Sequence, residues 1–541
     1  MKIKYLVLNV LLFSSFIQIN AVGYYFYVQF KDKNNTTYSL SNPSAFLSQR
    51  SLDRRTFFNV AIDSTDLPVN QSYISQIQAL NVPIHSRTKW MNGVTVALTD
   101  SSKITDVQNL SCVKFVQFTG RTNDAGSLIS RQKFPRETST TNYGYAATQI
   151  NQINGSVLHD NNYRGQGMVI AVIDAGFYNA NINPGFDSLR NEGRLLGVKN
   201  FVDANISVYN EHSHGSNVLS FMAGNIPNSY VGTAPKASYW LLQSEANNTE
   251  SLVEPDLWVS AIEFADSVGA DVSTTSLGYT TFNNSSLNFT YADMNGKTAR
   301  ASIAATMAVD KGIMVLNSAG NDGANSWHYV GVPADAEKII TVGAVTSAGI
   351  SSSFSSFGPT SDGRLKPELS AMGSSAVYIN TSGTFSAGNG TSYSCPILAG
   401  MTTCFLQAVK EKRPNLGLSE IKDMMYRSAN LYATPSYQMG YGIPNFLTAY
   451  NELISLATSN PEVDNVKIKI NSIEKKILVQ IDENISQNIT INLYNLAGSN
   501  LSERIFNTNN FDINIQAFQK GMYILNLNFN GKTVNKKVMI Q

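Results

Sequence analysis

The chain has 541 residues, of which 43% are hydrophobic and 15% are charged. This length predicts two to four domains, and the composition favours folded domains with hydrophobic cores over global disorder. The net charge at pH 7 is +1, so the overall charge favours neither nucleic-acid binding nor attraction to a membrane surface.

The N-terminus has the pattern of a secretory signal peptide. Lys2 and Lys4 precede an apolar run over residues 5–17, and Ala21 supplies a small residue for cleavage. A membrane anchor is the alternative, but the run is shorter than the roughly 20 apolar residues that span a bilayer. Residues 1–21 are therefore predicted to direct export and to be removed.

Residues 22–120 are predicted to form a small α+β domain. Strands are expected at 24–30 and 112–118, and a helix at 66–80. The following residues, 121–141, are polar and lack apolar periodicity, which indicates an exposed linker that is open to proteolytic processing.

Residues 142–457 alternate apolar, β-branched runs with helical stretches. This pattern predicts an α/β domain, whose mostly parallel sheet is covered by helices on both faces. In such sheets the functional residues gather at the carboxyl ends of the strands. The clearest strands are 168–173, 239–242, 271–276, 313–317 and 339–345, and the clearest helices are 252–268 and 298–310.

Residues 465–541 change to short alternating strands punctuated by turn residues. The strands are expected at 466–470, 477–481, 489–493, 522–529 and 534–540. This spacing is typical of a small β-sandwich.

Three cysteines, Cys112, Cys395 and Cys404, leave at least one thiol unpaired. Disulfides are therefore not the main source of stability, and buried free thiols are expected. The spacing of the three residues is not that of a metal site.

Three short segments within residues 142–457 carry the residues for nucleophilic catalysis. Asp174 closes a strand in VIDAGF, His214 begins a helical run in HSHGSNV, and Ser392 opens a long helix in GTSYSCP. A serine hydroxyl needs a base to remove its proton, and the base needs a carboxylate to orient it. Each residue alone has a structural explanation, such as a turn or a helix cap, but the three together predict a catalytic triad.

These segments resemble the three signature blocks of the subtilisin family, whose triad has the same chain order of Asp, His and Ser. The similarity covers roughly residues 142–455 and includes SLG at 276–278 and NSAGNDG at 317–323. The resemblance implies that Asn321 donates a hydrogen bond to the oxyanion, together with the backbone N–H of Ser392. It also implies that six residues flank the pocket for the residue before the scissile bond: Ser276, Leu277, Gly278, Ser318, Ala319 and Gly320.

The chain departs from the family pattern near the triad. Ala175 stands where Thr or Ser usually follows the aspartate, Asn217 replaces a second histidine, and Tyr393-Ser394 replaces the usual Met-Ala. His212 is a rival base two residues from His214, but the small residues after His214 match the family block better. No cofactor is required by this chemistry. Structural calcium is frequent in the family, although the sequence assigns no ligands to it.

The flanking regions also show resemblances. AFLSQRSLDRR at 45–55 and DLPV at 66–69 look like the prodomain of secreted bacterial subtilases, which implies an intramolecular inhibitor. LYNLAG at 493–498 and KGMYILNLNFNGK at 520–532 resemble the sorting domain of type IX secretion, which implies the outer-membrane secretion machinery as a partner. A carbohydrate- or protein-binding sandwich is the alternative for this region.

The sequence thus predicts a secreted or cell-surface serine endopeptidase that acts on polypeptides. The main alternative is an inactive surface protein that binds a partner through the same fold. The presence of all four catalytic groups argues against it. A sedolisin-like peptidase would use Asp where Asn321 stands and Glu as the base. A metal hydrolase is disfavoured because His212 and His214 are two residues apart rather than four.

Overall fold

The computed structural model describes residues 23–121, 142–246, 250–458 and most of 466–540. In the last range the gaps are at 472–473, 483–484, 486–487, 496–498, 520 and 531. The expected signal peptide and all but the first residue of the expected linker lie outside the described residues. The chain divides into two compact units, one of residues 1–407 with 417–445 and one of 408–416 with 446–541. No helix in the described parts has the length and apolar character needed to cross a membrane.

The N-terminal region forms a four-stranded antiparallel sheet with three helices. Its sheet order is β2-β3-β1-β4, and its elements are β1 (Tyr24–Phe30), α1 (Gln49–Phe57), α2 (Gln71–Ala79), β2 (Ile84–Thr88), β3 (Gly93–Leu98), α3 (Ile104–Gln108) and β4 (Val113–Arg121). The helix expected over 66–80 begins only at Gln71. The reason is local, because the Asn70 side chain accepts a hydrogen bond from the backbone N–H of Ser72 and caps the helix there.

Seven strands of the central region form one parallel sheet, in the order β13-β12-β11-β10-β5-β9-β6. The strands of this region are β5 (Val169–Asp174), β6 (Leu195–Asn200), β7 (Asn225–Ile226), β8 (Tyr230–Val231), β9 (Ser238–Gln243), β10 (Val272–Thr275), β11 (Met314–Ser318), β12 (Ile340–Val345), β13 (Leu369–Met372), β14 (Ala376–Ile379) and β15 (Phe385–Gly388). Every residue of β5, β11 and β12 is buried, as expected for parallel strands that are covered on both faces.

Helices alternate with these strands, and the α/β class predicted from the sequence is confirmed. The helices are α4 (Ala147–Gln152), α5 (Ser156–Asp160), α6 (Asp187–Asn191), α7 (His214–Ala223), α8 (Val253–Val268), α9 (Arg300–Asp310), α10 (Thr391–Lys412) and α11 (Leu418–Ser428). The main core lies between the sheet and helices α8 and α9, where small alanines of α9 allow close packing against Trp258 and Ile262 of α8.

The N-terminal region packs against α8 through buried charges. The fully buried Asp266 carboxylate pairs with Arg54, with Arg55 at 2.9 Å and with Lys89 at 3.1 Å. The neighbouring Glu263 accepts the backbone N–H of Lys89 at 2.6 Å. Charges removed from water are stable only when they are paired and hydrogen-bonded, so this contact is specific to a docked N-terminal region.

The second unit contains α12 (Phe446–Thr458) and two antiparallel sheets. One sheet has the order β16-β17-β20 and the other β19-β18-β21-β22, from the strands β16 (Val466–Asn471), β17 (Lys476–Ile481), β18 (Ile489–Tyr494), β19 (Asn500–Phe506), β20 (Asn510–Asn514), β21 (Gly521–Phe529) and β22 (Lys532–Ile540). Their alternate apolar residues share one core, so the two-sheet arrangement predicted for this region is confirmed.

Candidate active site

Asp174 and His214 meet at the carboxyl edge of the parallel sheet. Asp174 is the last residue of β5 and is fully buried, and His214 is the first residue of α7. Nδ1 of His214 lies 2.7 Å from Oδ1 of Asp174. Because a carboxylate accepts the Nδ1 proton, this contact leaves the other ring nitrogen of His214 free to act as a base.

The surroundings of the ring tune its basicity. Burial lowers the pKa of His214, but the charge of Asp174 and its hydrogen bond outweigh burial, and the pKa is raised above 6.5. His212 has a different role, because its Nδ1 accepts the backbone N–H of His214 at 3.1 Å. That bond turns the His212 ring toward the start of α7, while His214 contacts Asp174.

The two oxygens of Asp174 are satisfied unequally. Oδ1 accepts the backbone N–H of Ala175 at 2.8 Å in addition to His214. Oδ2 is buried and has no hydrogen-bond partner among the described residues. Ala175 is the position where the family usually has Thr or Ser, and its methyl group offers no hydroxyl to this oxygen.

Ser392 lies in the first turn of α10, where the helix has backbone N–H groups without intrahelical acceptors. Pro396, four residues later, has no N–H to give to the carbonyl of Ser392. The hydroxyl of Ser276 fills that role, because its Oγ donates to the Ser392 carbonyl at 3.1 Å. In return, Ser392 Oγ donates to the Ser276 carbonyl at 3.2 Å. The structure therefore holds the hydroxyl of Ser392 on Ser276 and does not hydrogen-bond it to His214.

Asn321 is held beside this turn by its amide oxygen. Oδ1 accepts the backbone N–H of Thr391 at 2.9 Å and the Thr391 hydroxyl at 3.1 Å. These bonds direct the side-chain NH₂ away from Thr391. The space above Gly390, where a Cβ would stand, is 3.7 Å from the backbone nitrogen of Ser392 and 3.9 Å from both Nδ2 and Oδ1 of Asn321. Two donors thus border the same small space, which glycine leaves open.

The six predicted pocket residues lie at two neighbouring strand ends: Ser276, Leu277 and Gly278 directly after β10, and Ser318, Ala319 and Gly320 at and after the end of β11. Asn317 joins the two segments, because its side-chain NH₂ donates to the carbonyls of Leu277 at 3.2 Å and Ser318 at 2.8 Å. Gly320, at φ +106°, donates its N–H to the Thr391 hydroxyl at 3.1 Å.

A polar cleft with a volume of about 580 Å³ lies beside His214. Its lining includes His212, Asn217, Asn380 and Tyr393. Two of these, Asn217 and Tyr393, are departures from the family pattern, so the family differences change this surface. Burial raises the pKa of Tyr393 and keeps its hydroxyl protonated.

The three cysteines are buried free thiols, as predicted. In the parts of the chain that the structure describes, no group of three or more His, Cys, Asp or Glu side chains is arranged to hold a metal ion. No calcium ligands are therefore assigned.

Sequence reasoning missed a group of carboxylates close to Asp174 and His214. Glu245 comes two residues after Gln243, which is the register partner of Asp174 on the neighbouring strand β9. Glu250 and Glu254 interact electrostatically with Glu245. The chain order places Glu245 just beyond β9, but only the pairing of β9 with β5 in the sheet brings it to the end of β5.

A buried Asp–His pair and a serine at a helix N-terminus, all at the carboxyl edge of a parallel sheet, define a serine hydrolase. The profile of the Subtilase family matches residues 165–442, which is just over half of the chain. The chain belongs to this family and is a serine endopeptidase.

Three relatives show the extent of the similarity. Subtilisin NAT of Bacillus subtilis subsp. natto is 31% identical over 306 residues, which are 56% of this chain and 70% of that protein. Subtilisin of Bacillus pumilus is also 31% identical over 306 residues, covering 56% of this chain and 97% of that protein. Serine protease AprX of Bacillus subtilis strain 168 is 27% identical over 308 residues, covering 52% and 65%.

Two further matches cover the flanking regions. Residues 25–136 match the Peptidase S8 propeptide domain of Bacteroidota. Residues 460–541 match a secretion system C-terminal sorting domain. The chain thus carries a propeptide domain and a sorting domain on either side of its peptidase domain, and the sorting domain indicates export to the cell surface or beyond.

Proposed function

We propose that the enzyme hydrolyses peptide bonds through an acyl-enzyme formed on Ser392. His214 takes the proton of Ser392 as Oγ bonds to the substrate carbonyl carbon. It then gives this proton to the leaving amine as the C–N bond breaks, and water releases the acyl group by the same route. Asp174 orients His214 and stabilises its charged form.

The observation that carries this proposal is the 2.7 Å contact between His214 Nδ1 and Asp174 Oδ1 at the sheet edge from which α10 starts with Ser392. The carboxylate is fully buried, so its hydrogen bond to the ring is strengthened by the low local dielectric. Rotation of the Ser392 side chain away from Ser276 would turn its hydroxyl toward the base when a substrate is bound.

The oxyanion is proposed to be stabilised by Asn321 Nδ2 and the backbone N–H of Ser392. Support comes from the space above Gly390, which both donors border, and from the two bonds that fix the amide oxygen of Asn321 on Thr391. Donors fixed before the reaction stabilise charge that develops in the transition state. The strand ends at 276–278 and 318–320 are proposed to flank the pocket for the residue before the scissile bond.

The N-terminal region is proposed to restrain the enzyme until it is cut away after residue 121. Support comes from the three cations of this region that neutralise Asp266 on the peptidase domain. Deletion of residues 22–136 tests the idea, because a chain that folds and hydrolyses peptides equally well without them has no need of a folding partner or inhibitor.

Residues from about 465 onward are proposed to carry the enzyme across the outer membrane through the type IX machinery, after a signal peptide at 1–21 has directed the first export step. A complete antiparallel core of their own supports an independent role for them. The mature enzyme would then act on polypeptides outside the cell or on its surface.

Labelling with a fluorophosphonate probe tests the central step, since the probe reacts with an activated serine. The label is expected on Ser392, and Ser392→Ala should abolish it. Ser394→Ala is the matched control, because Ser394 lies in the same helix turn and donates only to the Thr391 carbonyl. A label that persists in Ser392→Ala, or that never forms on processed protein, would refute the mechanism and favour a binding protein.

A further inference from the structure

Strands β14 and β15 form a hairpin that supplies one wall of the cleft beside His214. Among the described residues the two strands pair only with each other. The lining of the cleft takes residues from both strands and from the turn between them, but none from 276–278 or 318–320. The cleft therefore lies on the other side of Ser392 from the proposed pocket for the preceding residue, where the residues after the scissile bond would bind.

The outer edge of β14 has no neighbouring strand in the described chain and is bonded by side chains instead. Gln149 of α4 accepts the backbone N–H of Val377 on Oε1 at 3.0 Å and donates from Nε2 to the carbonyl of the same residue at 3.1 Å. The Tyr230 hydroxyl donates to this carbonyl at 3.0 Å, and Ser220 Oγ accepts the backbone N–H of Ile379 at 3.0 Å. Side chains from three separate elements thus take the place of a strand partner.

Gln149 makes the largest contribution to this edge, because a single amide bonds both polar groups of Val377. Its side chain is 1% exposed, and in the described chain its hydrogen bonds end on Val377 and on the Tyr230 hydroxyl. None of them stabilises the helix to which Gln149 belongs. The amide is therefore placed to fix the hairpin rather than α4.

The hairpin in turn contacts the residue next to the proposed nucleophile. Tyr378 of β14 packs on Tyr393 with the ring centroids 5.3 Å apart, and Phe221 of α7 packs on both rings. Gly388, the last residue of β15, lies against Tyr393 so closely that an added Cβ would stand 2.5 Å from a ring carbon. Because Tyr393 directly follows Ser392, a displaced hairpin would disturb both the cleft wall and the ring beside the nucleophile.

We propose that Gln149 is a positioning residue for the leaving side of the scissile bond. By fixing β14, it holds the wall against which the residues after that bond are placed. The inference rests on the proposed function and adds to it a residue that touches no reacting atom. A wall that is fixed in advance loses little conformational entropy when the substrate binds. Polypeptides that extend past the bond therefore benefit, whereas a substrate with a very small leaving group does not.

The test compares two substrates that share one acyl sequence. One is a peptide that extends two residues past the scissile bond, and the other is the methyl ester, whose methanol is too small to fill the cleft. The enzyme is the processed product of the full chain. Gln149→Met keeps the length of the side chain but not the amide. It should lower kcat/KM for the peptide by roughly 10-fold, as expected for the loss of buried hydrogen bonds, and leave kcat/KM for the ester near that of the wild type.

Gln152→Met is the matched control. Gln152 lies on the same helix, and its Nε2 donates to the carbonyl of Thr346 at 2.8 Å, outside the hairpin. The ratio of peptide to ester cleavage should therefore stay at the wild-type value in this variant. An equal fall of the ratio in Gln149→Met and Gln152→Met would overturn the proposal.

Trapping of the acyl-enzyme by an added amino-acid amide gives a second readout. The amine attacks from the leaving side by the reverse of the cleavage step, so the yield of amide relative to acid should fall by the same factor in Gln149→Met. A purely structural Gln149 predicts a lower melting temperature with an unchanged ratio of peptide to ester cleavage and an unchanged yield of amide. That result overturns the proposal.

Ser220→Ala takes the place of Gln149→Met if that variant does not fold, because it removes the acceptor of the Ile379 N–H from the same edge. The ratio of peptide to ester cleavage should again fall, and an unchanged ratio overturns the proposal. Failure of the proposed function gives a different result. In that case the wild type cleaves neither substrate and is not labelled by the fluorophosphonate probe.

Discussion

Ser276 and Ser392 are joined by two reciprocal hydrogen bonds. Ser276 Oγ donates to the Ser392 carbonyl at 3.1 Å, and Ser392 Oγ donates to the Ser276 carbonyl at 3.2 Å. The first bond replaces a helix bond that Pro396 cannot make. The second holds the hydroxyl of Ser392, the proposed nucleophile, at the strand end that is proposed to flank its pocket. Positioning of Ser392 therefore depends on a residue 116 positions away in the chain.

Replacing Ser276 with Ala should destabilise the peptidase domain. The Ser392 carbonyl would lose its donor while staying buried, which costs about 1–3 kcal/mol. Thermal unfolding of the Ser392→Ala background, in which self-cleavage is absent, measures the loss. Ser286→Ala is the control, since Ser286 is exposed and bonds only within its own turn. Equal melting temperatures for the two variants would mean that the bond to Ser392 contributes nothing.

The pH dependence of activity should follow His214. Its pKa is raised above 6.5, and the base must be neutral to act, so kcat/KM should rise with pH through a midpoint above 6.5. Stability should change with pH in the opposite direction to activity, because the ion pair with Asp174 stabilises the folded state only while His214 is protonated. That contribution is fully present below about 6.5 and is lost as pH rises through the folded pKa of His214.

Two measurements check these signs. A pH profile of kcat/KM gives the midpoint, and melting temperatures of the wild type and Asp174→Asn are compared over the same interval. The difference between the two proteins should shrink as the pH rises. A midpoint below 6.5, or a difference that grows with pH, would contradict the ion pair seen in the structure.

The sequence predicted the central fold because the parallel strands are continuous apolar runs, as in β5 and β12. It did not predict β19 and β20. Most residues of these strands are exposed, and Glu503 and Arg504 interrupt the apolar pattern of β19. Nor did it predict that Arg54 and Arg55 are buried. Their partner Asp266 lies more than 200 residues later, and the sequence around the two arginines gives no sign of it.

At the site, the residue types and their order were readable from the chain, because each signature segment is contiguous. The hydrogen bonds between Ser392 and Ser276 could not be predicted from the chain, because they depend on the missing N–H of Pro396 and on the close approach of two distant segments. The same holds for Glu245, which lies near the end of β5 only because strand β9 pairs with β5.

Removing the buried carboxylate of Asp266 should shorten the time before the N-terminal region is released and the enzyme becomes active. Asp266→Ala leaves Arg54 buried without a carboxylate partner and leaves Arg55 paired with Asp66 alone, which weakens docking of the N-terminal region by about 3–5 kcal/mol. Peptide hydrolysis should therefore appear sooner after the protein begins to process itself. Asp310→Ala is the matched control, because the exposed pair of Asp310 with Lys338 contributes only about 0–1 kcal/mol. Equal lag times in the two variants would remove Asp266 from the restraint.

Deletion of residues 465–541 should separate export from catalysis. The peptidase domain has its own core, so kcat/KM on small peptides should be unchanged, while the truncated enzyme stays within the cell envelope. Full-length Ser392→Ala is the reciprocal control and should be exported without activity. A truncated enzyme that is exported normally but fails to cleave peptides would reverse the assignment of this region.

Asn321 provides the sharpest test of the mechanism, because it has both a proposed catalytic role and a structural one. Its amide oxygen accepts two hydrogen bonds from Thr391, and its NH₂ is free for the oxyanion. Asn321→Leu removes both functions. It should lower kcat by roughly 10²–10³-fold with little change in KM, the size found for such a donor in a subtilisin.

Asn321→Asp separates the two roles. A carboxylate at this position still accepts the N–H and hydroxyl of Thr391, so the turn before Ser392 keeps its bonds and the melting temperature should stay near that of the wild type. It has no proton to donate to the oxyanion, so kcat per titrated active site should fall at least as far as in Asn321→Leu. A purely structural Asn321 predicts the reverse order, with normal turnover in Asn321→Asp and a lowered melting temperature in Asn321→Leu. Normal turnover per titrated site in the aspartate variant would therefore take Asn321 out of the chemistry and leave the Ser392 N–H as the proposed oxyanion donor.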